Sequence, residues 1–152
     1  DDCVNSILQR WPGHRNGIDD IVRDGANASG WRGEGTTDAT LARLRAQYRQ
    51  DWNDATCNAW FWCLRHQLFF DQHFETRPGV ALVRYESLVT DPLRVIRPLA
   101  DIVGVKLTGL MASVPNARSI GKRAPPDIAP DVRETCDALL ARLDAVWEGQ
   151  GF

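Results

Sequence analysis

Long hydrophobic runs are missing from this sequence. No apolar stretch approaches the ~20 residues that a membrane-crossing helix needs, and none follows a charged leader in the manner of a secretory signal. The expectation is a soluble, cytoplasmic chain with no membrane partner. An excess of one charge is missing too. Eighteen Lys and Arg face twenty Asp and Glu, a formal net charge of −2, with an isoelectric point near 5.9. That balance gives no general attraction to nucleic acid, so none is expected as a partner, and leaves only a local basic site open. Cysteine is sparse: Cys3, Cys57, Cys63 and Cys136 include no CxxC pair and form no dense framework. On one helix Cys57 and Cys63 would stand about 9 Å apart, too far for a disulfide. Free buried thiols in a reducing compartment are the expectation. His66 and His73 would be about 10 Å apart along a helix, too far to share a metal ion, and His14 reads as a surface residue.

What remains is ordinary globular composition, 43% hydrophobic and 25% charged over 152 residues, enough for one domain with a core. The chain starts with Asp1 rather than methionine, so a processed, trimmed or incomplete polypeptide is expected. Val4, Ile7, Leu8 and Trp11 share one side of a short helix, which Pro12 and Gly13 stop. Residues 13–37 hold six of the twelve glycines and read as a loop, either beside an acceptor pocket or simply irregular, in which Ile18, Ile21 and Val22 offer a short helix.

From Asp38 to Thr76 glycine and proline are absent. Thr37 or Asp38 caps the start, and two apolar stripes at helical spacing follow, Leu41, Leu44, Tyr48, Trp52 and then Thr56, Trp60, Cys63, Gln67, Phe70, Phe74. They predict two helices or one long bent one. The block Trp60–Leu64 is apolar all round, which places its helix inside the protein as core, or alternatively on an acceptor-binding surface. Near the C-terminus Pro130 opens a clear helix with Val132, Cys136, Leu139, Leu140, Leu143, Val146 and Trp147 on one face, closed by Gly149.

The segment between these helices carries the strongest local signals. Arg77, Pro78 and Gly79 punctuate the start of an unalternating apolar run, Val80, Ala81, Leu82, Val83, as in a strand covered on both faces. After Tyr85 the chain turns. Asp91 and Pro92 then read as an N-cap with proline at the first helical position, Leu93, Ile96, Leu99, Ala100 and Val103 share a face, and Gly104 stops the helix. Pro98 inside it predicts a kink. Residues 105–130 are irregular, with Arg118, Gly121, Lys122 and Arg123 forming a basic loop. It is not a Walker loop, because the earlier glycine and the following Ser or Thr are absent.

Taken together, these stretches resemble sulfotransferases that use 3′-phosphoadenosine 5′-phosphosulfate as donor, of the bacterial type. The run from Val80 through Tyr85 and Glu86 to Asp91 and Pro92 is similar to that family's strand, turn and Asp-Pro helix. Asp2, Cys3, Val4, Asn5 and Ser6, with Arg10 and Trp11, resemble the second half of its 3′-phosphate motif. Residues 116–123 resemble its late basic loop, and Gly151 with Phe152 its glycine-aromatic ending. The resemblance implies an α/β, P-loop-type sulfotransferase fold, of which this chain is the mostly helical C-terminal half carrying at least one buried parallel strand over residues 80–85. The missing N-terminal half would be a partner. It implies that Ser6 binds the 3′-phosphate at a helix N-terminus, that Tyr85 lies on the adenine side, and that Arg118 and Lys122 contact phosphates, with Glu86 structural and no catalytic base identifiable. The donor would be a co-substrate, no metal would be needed, and the acceptor would be a hydroxyl or amine. The competing expectation is a non-enzymatic, mainly helical interaction module with the tryptophan-rich helix as a binding face.

Overall fold

The computed structural model describes residues 1–10, 14–115 and 117–151. Among them the ordered elements are all helical: α1 (Asp2–Arg10), α2 (His14–Asp24), a 3₁₀ segment (Ala26–Arg32), α3 (Asp38–Gln47), α4 (Asp54–Asp71), a 3₁₀ turn (Phe74–Thr76), α5 (Tyr85–Thr90), α6 (Pro92–Val103), α7 (Gly109–Ser113), a 3₁₀ turn (Ala117–Ser119) and α8 (Pro130–Gly149). Expectations that rest on Trp11, Pro12, Gly13, Asn116 or Phe152 lie outside the described residues. The chain divides into two compact units, residues 1–74 with 123–140, and residues 75–122 with 141–152.

The first unit is built on α4. Ala55 to Phe61 are all buried, as are Cys63, Leu64, Gln67 and Leu68, so this helix has little face left for water. Helices α1, α2 and α3 pack against it and contribute Val4, Ile7, Ile18, Ile21, Leu41 and Leu44 to the same core. The ends of the helices are fixed by side chains. Thr37 caps α3 by accepting from the Thr40 N–H at 3.3 Å. Asn53 caps α4 by accepting from the Thr56 N–H at 2.8 Å, while its Nδ2 donates to the Asp127 carbonyl at 3.0 Å. The Thr56 hydroxyl then accepts from the Ala129 N–H, which ties the approach to α8 onto the first turn of α4.

Two expectations are corrected here. The first is the loop over residues 13–37. Ile18 and Ile21 are fully buried and sit on an eleven-residue helix, because three positions apart they share the face that meets α4. The glycines in this region permit a close approach. A Cβ on Gly33 would stand 1.8 Å from the Ala26 carbonyl oxygen, so the 3₁₀ segment folds back on itself only with glycine there.

The second correction is the fold class. The buried parallel strand over residues 80–85 is absent, and no strand occurs among the described residues. Residues 80–84 are irregular, Val80 is 42% exposed and Tyr85, 53% exposed, is the first residue of α5. A strand is stabilised by its neighbours, and no other described segment lies beside this one as a second strand. A side chain takes part of that place: Gln150 accepts from the Leu82 N–H at 2.9 Å and donates to the Leu82 carbonyl at 2.8 Å. The expected α/β sheet is therefore replaced by helices and an irregular connection.

The turn expected after Tyr85 is instead the short helix α5, whereas the cap at Asp91 and the stop at Gly104 act as read. Asp91 ends α5 through its N–H to the Ser87 carbonyl and caps α6 by accepting from the Arg94 N–H. The helix continues through Pro98 to Val103. Gly104, at φ 67°, closes it, with Val105 N–H bonded to the Ala100 carbonyl at 2.9 Å, the pattern of a Schellman end. Asn53→Ala is expected to destabilise the first unit by about 1–2 kcal/mol, since it removes both the α4 cap and the bond to Asp127. A denaturant midpoint that does not move at unchanged m-value contradicts this reading.

Candidate functional site

Four residues are singled out by the sequence, and the two units divide them: Ser6 lies in the first, and Tyr85, Arg118 and Lys122 in the second. Ser6 is exposed on α1, but it does not stand at the helix N-terminus. The Asn5 N–H already bonds the Asp1 carbonyl at 3.0 Å, so the unpaired amides of the first turn lie at or before Val4. Asp1 and Asp2 provide the negative charge that this end of the helix favours, and the Asp1 carboxylate sits 3.1 Å from the Arg133 guanidinium. Only the Ser6 hydroxyl remains to meet an external anion.

Of the other three, Tyr85 and Arg118 stand on elements that pack together. Helix α5, which begins at Tyr85, packs against the Ala117–Ser119 turn that carries Arg118. Lys122, four residues after Arg118, is exposed and follows Gly121 at φ 63°. A residue missed in the sequence sets up this end of α5. Arg84 precedes the helix and bridges Asp144 at 3.6 Å and Glu86 at 3.7 Å, which gives the expected structural Glu86 a cationic neighbour. Charge is unevenly shared. The second unit contains eight Lys and Arg against six Asp and Glu, a surplus of cations in a chain whose net charge is −2.

The histidines and cysteines of the first unit do other work. His66 stacks on Trp62, with ring centroids 4.2 Å apart, and its Nδ1 lies 2.9 Å from the Trp62 carbonyl. Burial pushes its pKa down, against the upward pull of that carbonyl, and neighbouring Arg65 lowers it further. Cys57 is buried and its thiol is pushed up to about 11, chiefly by desolvation, so it is a poor nucleophile. Cys63 and Cys136 meet across α4 and α8 with sulfurs 3.1 Å apart. No group of three or more His, Cys, Asp or Glu among the described residues is placed to hold a metal ion, and none of their helices is long and apolar enough to cross a membrane. No family model, curated protein or solved structure matches this chain.

The His66 environment gives a pH prediction. Its folded pKa lies below the unfolded value of 6.5, so the unfolded chain takes up the proton first. The stability this neutral ring contributes is present above pH 6.5 and is lost as the pH falls through the folded pKa. Melting temperatures measured across this window should fall more steeply for the native protein than for His66→Gln. Parallel profiles would show that His66 is solvated in the folded state.

Proposed function

We propose that this chain contributes nucleotide-holding residues to a sulfotransferase that moves a sulfuryl group from 3′-phosphoadenosine 5′-phosphosulfate to a hydroxyl or amine. The observation that carries the reading is the packing of α5 on the Ala117–Ser119 turn. It sets an exposed aromatic ring, Tyr85, on an element adjoining a loop with two exposed cations, Arg118 and Lys122, in the unit with the cationic surplus. A ring for a base beside cations for phosphates is the chemistry a nucleotide asks for.

On this reading Tyr85 lies against the adenine, and Arg118 and Lys122 neutralise phosphate oxygens. The sulfate end of the donor is held by residues beyond this chain. Transfer is in line, and the protein's contribution is to align donor and acceptor and to meet the charge with cations and N–H donors, as in phosphoryl transfer.

A second reading, a helical module that binds a protein partner, is favoured by apolar side chains left in water in the second unit, with Val103 65%, Leu110 74% and Val114 68% exposed. Nucleotide binding separates the two. Titration calorimetry of the intact protein with 3′-phosphoadenosine 5′-phosphate should give saturable binding. Tyr85→Ala and the double change Arg118→Ala with Lys122→Ala should each weaken it about ten- to a hundredfold, since stacking on a base is worth roughly 1–3 kcal/mol and hydrogen bonds to charged groups roughly 1.5–3 kcal/mol. No binding, or equal affinity in all variants, overturns the nucleotide reading and leaves the interaction module.

A further inference from the structure

Cys63 on α4 and Cys136 on α8 are both free thiols, 73 positions apart in sequence and in contact within the first unit. Their sulfurs lie 3.1 Å apart, about 1 Å beyond the ~2.05 Å of a disulfide bond. The pair has a direction. Cys136 Sγ donates to the Ala59 carbonyl at 3.7 Å, which leaves its lone pairs to accept the proton of Cys63. As acceptor, Cys136 has its pKa lowered, with help from Arg133, against opposing desolvation and the Asp137 carboxylate. Cys63, as donor and deeply buried, has its pKa raised, despite Arg43. Cys136 is also the more accessible of the two, half-buried where Cys63 is only 2% exposed.

We propose that Cys63 and Cys136 form a redox-modifiable dithiol that closes to an intramolecular disulfide between α4 and α8, with a low-molecular-weight disulfide of the glutathione type as oxidant. Cys136, as thiolate, attacks one sulfur of the oxidant. A mixed disulfide forms, and the first small thiolate leaves and takes up the proton that Cys136 lost. Cys63 then attacks Cys136 Sγ, the second small thiolate leaves, and the Cys63 proton passes to it. Two protein thiols are oxidised by two electrons, and one small disulfide becomes two thiols. The accessible Cys136 is the attacking group and the buried Cys63 the resolving one, the arrangement in which an exposed adduct is cleared from within. Cys57 is buried and takes no part, because the thiol in contact with Cys136 is Cys63. The inference does not depend on the nucleotide reading.

The test is peptide mapping of the folded protein after equilibration with rising ratios of oxidised to reduced glutathione, quenched with acid and alkylated after unfolding. The expected product is a peptide pair joined through Cys63 and Cys136, with Cys57 alkylated, and a rise in melting temperature that dithiothreitol reverses. Cys63→Ser should stop at the mixed disulfide on Cys136, and Cys136→Ser should leave Cys63 a thiol. If Cys63 and Cys136 both stay alkylatable at ratios that modify exposed Cys3, or if links form through Cys3 instead, the proposal is overturned. The native-protein map decides this even where a variant folds poorly.

Discussion

The burial of α4 is the constraint on which the first unit depends. A helix with Trp60, Phe61, Cys63, Leu64 and Leu68 around its circumference cannot rest on a surface, and fully burying each large apolar side chain is worth about 1.5–3 kcal/mol. Enclosing it takes α1, α2 and α3 on its flanks and the start of α8 by way of Thr56 and Cys63. Asn58 Oδ1 and Trp60 Nε1 are buried on it without a hydrogen-bond partner, but the polar groups at its C-terminal end are paired. Gln67 donates to Asp71 at 2.8 Å, and the other Asp71 oxygen accepts from Thr37 and Thr40 at 3.0 Å each. One carboxylate thus ties the end of α4 to the beginning of α3.

The second unit follows a different rule. Its buried apolar residues are Val89, Val95, Ala100, Leu143 and Trp147, a small core, and its elements are held largely by caps and end motifs at Asp91, Gly104 and Arg84, and by the Gln150 amide on Leu82. A unit held this way leaves more side chains at its surface. Tyr85 and Lys122 are among them, which is what a ligand-binding edge requires, and so are the apolar residues around α7.

How much of this was legible in the sequence follows the range of the forces. Signals acting within one turn were read correctly: the caps at Thr37 and Asp91, Pro92 at the start of α6, the glycine stop at Gly104, the all-round burial near Trp60. The strand over residues 80–85 was misread because an apolar run specifies extension only when a neighbour supplies the hydrogen bonds, and a run of four such residues does not say whether one exists. The helix around Ile18, Ile21 and Val22 was visible from their spacing, but its full extent, His14–Asp24, was not, because glycine and polar residues fill the rest of it. The pairings of Cys63 with Cys136 and of Leu82 with Gln150 join distant positions and leave no trace in local pattern. The placement of Ser6 one turn into α1 depends on where the hydrogen-bond ladder starts, which sequence fixes only to within a residue or two.

An enclosed α4 organises one unit, while residues 80–84 form an irregular connection rather than a sheet strand. Native-state amide hydrogen exchange of the free protein distinguishes this from a paired strand. The slowest exchange is expected in the middle of α4, around Trp60 to Leu64. Across residues 80–84 exchange is expected to be fast, with the Leu82 N–H slowed relative to its neighbours by Gln150. Uniform protection of residues 80–84 at the level of α4 would reveal a paired, buried strand and contradict this arrangement.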